Sequence, residues 1–259
     1  MIELDTIYNE DCLEGMKRIP DGSIDAIICD LPYGVLNKQS EGGSWDSIIP
    51  LEPMWEQYRR IIKEKGAIVL FGQGMFTAKL MMSQPKLWRY NLVWDKVRAT
   101  GFLNANRMPL RYHEDICVFY KSLPTYNPQM EDLNGREPNH PQGHGEHVEK
   151  NSCYGKVGRT NPTYEDKKHP RSIIRIKAVH CNEGQFHPTQ KPIELLRYLI
   201  RTYTNEGDTV LDNCMGSGTT AVAAIKENRH YIGFELSKDY FDKACERIKN
   251  EQRQLKLDL

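Results

Sequence analysis

Thr209-Val210-Leu211-Asp212-Asn213-Cys214-Met215-Gly216-Ser217-Gly218-Thr219-Thr220 is the stretch on which the fold turns. It reads as a β-strand, a glycine turn and the opening of a helix that continues through Ala221-Val222-Ala223-Ala224-Ile225. Gly216 and Gly218 remove Cβ atoms where a backbone must pass close to a ligand. The helix directly behind has N–H groups with no partner inside the helix, and these face the turn. No GKS or GKT follows, and the third glycine of a dinucleotide fingerprint is missing, so this is not a phosphate loop. Asp212, at the strand end, is a fixed negative charge that suits a cation or an amino group better than a pyrophosphate.

The next strand, Tyr231-Ile232-Gly233-Phe234-Glu235, ends on an acid 23 residues after Asp212. A carboxylate at that place accepts hydrogen bonds from ribose hydroxyls. A positively charged, nucleoside-bearing cofactor satisfies both features, and S-adenosyl-L-methionine is the obvious candidate. The plainer alternative is a tight turn followed by a solvent-exposed Glu.

Outward from this pair, short Val/Ile-rich runs alternate with helical patterns. Asp25–Cys29, Ala67–Phe71, Asn91–Trp94 and Ile116–Tyr120 have the length and composition of strands buried on both faces. Ile193, Leu196, Leu199, Ile200 and Tyr203 form one apolar helical stripe, and Phe241, Ala244, Cys245 and Ile248 form another, with Ser237 as a cap. Alternation of this kind implies an α/β fold with a doubly wound, mostly parallel sheet.

The chain has 259 residues, 35 Lys and Arg against 35 Asp and Glu, and 39% apolar residues, enough for one well-buried core or a domain with a modest insertion. A uniformly basic coat is excluded. From Lys86 to Lys177, however, 16 basic residues face 10 acidic ones, so the neutral total hides a polarised molecule. Lys121 to Pro170 holds 6 Pro and 5 Gly and few apolar runs. It reads either as a surface insertion or as a basic recognition module on an acidic core. The seven cysteines include no CxxC pair, which points to reduced thiols in the cytoplasm. No apolar run approaches a membrane span, and the acidic start is not that of a signal peptide.

Asp30-Leu31-Pro32-Tyr33-Gly34 follows the strand ending at Cys29. Strand C-termini are where open α/β sheets bind ligands. Pro32 stiffens the turn and holds Leu31 extended. A carboxylate, a backbone carbonyl and an aromatic face in one cluster suit a planar base bearing an exocyclic amino group. Tyr33 would stack on the ring, while Asp30 and the carbonyl of Leu31 or Pro32 accept the two N–H protons. A polar β-turn with a packing Tyr is the bland alternative.

Asp30-Leu31-Pro32-Tyr33 resembles the catalytic motif of amino-methyltransferases acting on DNA. Asp212–Thr220 resembles their S-adenosylmethionine loop, His187-Pro188-Thr189-Gln190-Lys191-Pro192 the motif before the cofactor strand, and Arg111–Lys121 their last core strand. The order of catalytic motif, variable region and cofactor motif is similar to the β class of N6-adenine and N4-cytosine enzymes. Leu31 stands where family members usually have Pro; the contact expected there is made by backbone. The leading Asp resembles the adenine enzymes, whereas cytosine-N4 enzymes typically carry Ser.

The resemblance implies a Rossmann-like, seven-stranded methyltransferase sheet with circularly permuted motifs. Leu4–Tyr8 would supply the strand missing from the C-terminus, residues 1–120 the catalytic half, 121–180 an inserted target-recognition region, and 181–259 the cofactor half. Asp11 and Cys12 would contact the cofactor adenine, with Asp11 also an N-cap. His187 and Thr189 would bind its methionine end, and Lys191 would pair with its carboxylate. Gly216, Ser217, Gly218 and Thr219 would form its loop, with Asp30 also against it. Thr189 is in addition a good helix N-cap, and Pro192 suits an early helical position.

Lys96, Arg98, Arg107 and Arg111 are candidates for phosphate contacts, against the usual reading as solvated charges. His140, His144, His147 and Cys153 superficially suggest a metal site, but the spacing favours a loop, so no metal is expected. The implied substrate is double-stranded DNA, whose target adenine must leave the stack to be reached. The alternatives are N4-cytosine, an RNA substrate, or a DNA-binding relative that has lost the chemistry. Dimers are common in the resembled class, so a homodimer is one partner to test for and a cognate restriction nuclease another. No membrane partner is expected, and the host would be a bacterium or a phage.

Overall fold

The computed structural model describes residues 2–34, 46–132, 167–179 and 190–257, with side chains described through Gln254. In chain order the strands are β1 (Thr6–Tyr8), β2 (Ile24–Cys29), β3 (Ile62–Gly72), β4 (Trp88–Thr100), β5 (Arg111–Phe119), β6 (Glu131–Asp132), β7 (Lys167–Lys168), β8 (Ile173–Arg175), β9 (Thr209–Asp212) and β10 (His230–Phe234). The helices are α1 (Cys12–Met16), α2 (Leu51–Ile61), α3 (Met75–Ser83), α4 (Ile193–Tyr203), α5 (Thr219–Lys226) and α6 (Lys238–Leu257).

Eight strands form one sheet in the order β1-β10-β9-β2-β3-β5-β4-β8. The five from β1 to β3 are mutually parallel, β5 runs antiparallel to both β3 and β4, and β8 is parallel to β4. The two ends of the chain meet at the centre, where Ala26 pairs with Val210 and Ile27 with Leu211. β1 takes the edge beside β10, Thr6 opposite Ile232, so the N-terminal strand joins the C-terminal strands in one sheet.

Period-2 alternation divides the core in two. Ala26, Ile28, Val69, Phe71, Ile116, Val118 and Val210 face α4, α5 and α6, packing on Leu195, Leu199, Val222 and Ala244. Ile27, Cys29, Ile68, Leu70, Cys117, Phe119 and Leu211 face the other side, against Met16, Met54, Trp55, Tyr58 and Leu80. Nearly all are fully buried, and each aliphatic or aromatic side chain so buried contributes about 1.5–3 kcal/mol. The C-terminal helices therefore cover one face and the N-terminal helices the other.

All seven anticipated strands are present. The sheet gains an eighth, β8, because Val93, Trp94 and Asp95 leave an open edge that Ile173–Arg175 pairs with. β4 is also longer than its apolar run, since Asp95, Lys96 and Arg98 continue the extended backbone toward β5. Pro192 occupies the N-cap of α4 in an extended conformation, outside the helix; Thr189 lies outside the described residues. Residues 128–171 make a second compact unit, in which β6 and β7 pair antiparallel and Lys168 meets Glu131 at 3.1 Å. His140, His144, His147 and Cys153 lie outside the described residues. No helix among the described residues is long and apolar enough to cross a membrane.

Candidate active site

The C-terminal ends of β1, β2, β9 and β10 open into a cavity of about 930 Å³. This is at the upper end of the range of roughly 300–1,000 Å³ that small-molecule sites occupy. Glu10, Asp11, Asp30, Asp46, Glu114, Asp212 and Glu235 line it, against Lys96, Arg98 and Lys191. Among the described residues, seven carboxylates against three cations give the lining a negative excess, which attracts a positively charged ligand.

At one end Asp11, Asp212 and Glu235 each accept from backbone N–H groups. Asp11 Oδ1 accepts from the N–H groups of Leu13 (2.8 Å) and Glu14 (3.3 Å), capping α1. Glu235 Oε2 accepts from Gly216 N–H and its Oε1 from Ser237 N–H, both at 2.8 Å. Asp212 accepts from Cys214 N–H at 3.0 Å and from the Thr220 hydroxyl at 2.6 Å. Burial pushes the Asp212 carboxyl up to about 6, although these two hydrogen bonds pull it down. Burial also pushes Glu235 up, against its backbone hydrogen bonds.

Gly216 and Gly218 both have positive φ, 51° and 73°. A Cβ on Gly218 would also sit 3.1 Å from that of Ala244, so α6 packs where only glycine fits. Arg247 of α6 donates to the Ser217 carbonyl at 2.8 Å and to Thr219 Oγ1 at 3.0 Å, holding the turn from behind. The Ser217 and Thr219 hydroxyls bond to each other at 2.8 Å.

The other end is built differently. Tyr33 donates its hydroxyl to Asp30 Oδ1 at 2.8 Å, and its ring packs 4.9 Å from that of Phe76. Lys191 Nζ, from the segment before α4, bonds Asp30 Oδ2 and lies 3.4 Å from Glu114 Oε2. That oxygen has no hydrogen bond and meets Lys191 only as an ion pair. Lys96 reaches Glu114 Oε1 at 3.1 Å. Burial, reinforced by Glu114, pushes the Asp30 carboxyl up, with Lys191 and Tyr33 opposing. Burial also opposes ionisation of Glu114, but Lys191 and Lys96 together outweigh it and bring that carboxyl down.

Asp11, Cys12, Asp30, Leu31, Pro32, Tyr33, Lys191, Asp212, Gly216, Ser217, Thr219 and Glu235 all line this one cavity. Leu31 turns its side chain into the core at 3% exposure, leaving its backbone to the site. His187 lies outside the described residues. Lys191 pairs with Asp30 and Glu114. One expectation is corrected. Lys96 is no surface phosphate contact: it is 6% exposed, on the cavity wall, and paired with Glu114. Arg98, Arg107 and Arg111 are exposed on the β4–β5 hairpin, Arg98 also on the cavity rim.

Sequence reasoning missed Glu114, Trp94 and Asp46. Asp46, 3% exposed, accepts from Gly34 N–H at 2.9 Å and so fixes the far side of the catalytic turn. The isolated signal for it was a Trp-Asp pair shortly after the turn. Cys12, Cys29, Cys117, Cys214 and Cys245 are free thiols, and burial pushes Cys29 up to about 12. Among the described residues no three His, Cys, Asp or Glu side chains are grouped as metal ligands.

A family model described as DNA methylase, of the N6 and N4 type, matches residues 24–246. Type II methyltransferase M.HpaI of Haemophilus parainfluenzae is 28% identical over 246 residues, covering 92% of this chain and 72% of that protein. Among solved structures, the M1.HpyAVI-SAM complex superposes with a TM-score of 0.63 at 24% identity, covering 94% of this chain and 98% of that one. The cytosine-N4-specific PvuII DNA methyltransferase superposes with a TM-score of 0.65 at 16% identity, covering 96% and 91%. At these identities the two structures speak for the fold.

Proposed function

The chain belongs to the N6/N4 DNA methylase family, and on that premise we propose that it methylates the N6 amino group of adenine in double-stranded DNA. The observation that carries this reading is Asp30: an acid leads the catalytic turn, on the cavity wall, with Tyr33 beside it. The methyl donor is S-adenosyl-L-methionine.

The residues present fit that donor. Asp11, Asp212 and Glu235 give the far end of the cavity the acceptors that an adenine amino group and ribose hydroxyls require. The excess of carboxylates favours its sulfonium and ammonium charges. Each carboxylate oxygen already holding one N–H keeps a further lone pair for a ligand. Gly216 presents no side chain to the cavity it lines, whereas Gly218, which does not line it, lets α6 pack behind the turn. When bound, the cofactor supplies an electrophilic methyl group on a sulfonium sulfur.

This chain's own work is positioning and charge placement. The target base leaves the duplex stack and enters the catalytic end. Tyr33 stacks on its ring, with Phe76 backing the tyrosine. Asp30 and the carbonyl of Leu31 or Pro32 accept the two N–H protons of N6. That pair of bonds would draw the nitrogen toward tetrahedral geometry and free its lone pair for the donor's methyl carbon, whose bond to sulfur would break with its electron pair staying on sulfur, and the surplus N6 proton would leave to solvent. The acceleration comes from orientation and from acceptors set in advance for the positive charge that develops on the nitrogen. Arg98, Arg107 and Arg111 bind backbone phosphates beside the cavity mouth, and a homodimer or a cognate nuclease is a further partner to test.

Mass spectrometry of nucleosides from unmethylated DNA, incubated with the protein and S-adenosylmethionine, tests this directly. N6-methyladenine is expected. N4-methylcytosine would overturn the base assignment, and no methylated base alongside measured cofactor binding would overturn the catalytic reading.

A further inference from the structure

Four charged side chains from four separate elements alternate in sign along one wall of the cavity. Lys96 of β4 meets Glu114 of β5 at 3.1 Å, Glu114 meets Lys191 at 3.4 Å, and Lys191 bonds Asp30 at the end of β2. Side-chain exposure along the row is 7%, 15%, 9% and 21%. Charges withdrawn from water this far are tolerated when paired, and removing one member strands its neighbour. Lys191 is fixed from a third direction as well, its ammonium 5.0 Å from the centre of the Phe71 ring.

We propose that Lys191 is a positioning residue for methyl transfer: clamped between Glu114 and Asp30, its ammonium fixes the Asp30 carboxylate in one orientation and holds it ionised. The inference rests on the reading of Asp30 as acceptor for the target amino group. Tyr33 takes one oxygen of Asp30 and Lys191 the other, so the carboxylate cannot rotate between base-free and base-bound states. Each oxygen retains a lone pair for the incoming N–H. Only the ionised form is acceptor on both oxygens; a protonated Asp30 would turn a donor toward the amino group. Burial and the negative charge of Glu114 both favour that unproductive form, and Lys191 is the cation that opposes them. Glu114 plays the contrary part, drawing Lys191 partly away from Asp30. Among the described residues, the remaining ionisable groups around Asp30 are Tyr33 on its own turn, Lys96 on β4, Asp212 on β9 and Cys29 on β2, and none of these is a cation in contact with it.

Lys191 and Glu114 thus pull the ionisation of Asp30 in opposite directions, which a merely structural role would not do. The test uses Lys191→Met, which keeps the apolar stem, Lys191→Arg, which keeps the charge, and the near-isosteric Glu114→Gln. Single-turnover methyl transfer is followed against pH with DNA and cofactor saturating. In parallel, the Asp30 carboxyl is titrated by ¹³C NMR in protein without DNA or cofactor, the resonance being assigned with Asp30→Asn. Lys191→Met is expected to move both the acidic limb of the rate profile and the Asp30 titration upward by about one pH unit or more. Lys191→Arg is expected to restore them, and Glu114→Gln to move them downward. Cofactor affinity is expected to stay within about threefold in all three.

An unmoved limb and titration in Lys191→Met would overturn the proposal. So would a loss of cofactor affinity of tenfold or more without a pH shift, which would return Lys191 to the cofactor carboxylate. If Lys191→Met does not fold, the direction of the Glu114→Gln shift decides alone: no shift or an upward one counts against the clamp. Wild-type protein that makes no methylated base defeats the functional reading; wild-type activity with unmoved limbs defeats only this inference.

Discussion

The two ends of one cavity hold their carboxylates in opposite ways. At the end proposed for the cofactor, Asp11, Asp212 and Glu235 are tied to N–H groups two or three residues away, and Glu235 also to Gly216 N–H, 19 positions back in the turn after the neighbouring strand β9. At the catalytic end, Asp30 and Glu114 are tied to Lys191 and Lys96, partners brought from as far as 161 positions along the chain. Backbone donors are fixed by the strand–turn–helix geometry and cannot titrate. Lysine partners can be lost, displaced or retuned. The first arrangement suits a constant recognition surface for one cofactor, and the second suits a group whose ionisation must be set for chemistry.

Asp30→Ala breaks the comparison most severely if it fails. Transfer is expected to fall by about 10²–10³-fold or more, as when a transition-state acceptor is removed, with cofactor binding nearly intact. Single-turnover rates and calorimetric cofactor titration check the two halves separately; equal loss in both would mean the two ends do not work independently. Glu235→Ala is the mirror experiment. Losing hydrogen bonds to a charged group is worth about 1.5–3 kcal/mol, so cofactor affinity is expected to drop by roughly 10–100-fold while the rate at saturating cofactor stays within a few-fold.

Acid sharpens the contrast. Asp212, raised to about 6 from a usual 3.8, holds a proton in the folded chain over a window where the unfolded chain has released it. Its contribution to stability is therefore fully present below pH 3.8 and is lost as pH rises through about 6. A cationic ligand favours the ionised form, so cofactor affinity is expected to fall by about tenfold per unit below that value. Binding isotherms from pH 5 to 8, roughly, would show this, and Asp212→Asn should remove the slope. The neighbours that set the value, Thr220, Cys214, Cys29 and Asp30, stay in place in that variant.

Arg107→Ala, outside both ends, is expected to weaken DNA binding a few-fold on every sequence and to lower the slope of affinity against salt by about one. Cofactor affinity should not move; if it did, Arg107 itself would belong to the cavity. The smallest effect is on the frame. Gly218→Ala meets Ala244 at 3.1 Å and a φ of 73°, which costs about 1–2 kcal/mol. A drop of a few degrees in Tm is expected, read by thermal denaturation, with little change at the catalytic end.

Much of the cofactor end was legible before any coordinates. Gly216, Gly218, Asp212 and Glu235 lie within 24 residues, and their roles follow from one strand, one turn and one helix. The sheet was legible for the same reason, because alternation along Asp25–Cys29 and Ala67–Phe71 reports burial on two faces locally. Helix α2 was also readable but went unread: Met54, Trp55, Tyr58 and Ile61 repeat at helical spacing. β8 was not readable, since three residues carry no period and their strand character comes from the open edge of β4.

The sequence by itself determined the α/β class, the permuted order of the motifs and the glycine turn with its acid, and it singled out the Asp30–Tyr33 turn proposed as catalytic. Those are properties of neighbouring residues, whose backbone geometry and periodicity are set over a few bonds. Only the tertiary structure decided that Lys96 leaves the solvent, that Lys191 serves Asp30, and that Glu114 joins them. A lysine in a sequence is as easily a solvated charge as a buried partner. Which of the two it becomes depends on the carboxylates the fold brings within 4 Å of it, and sheet order, not sequence spacing, sets that distance.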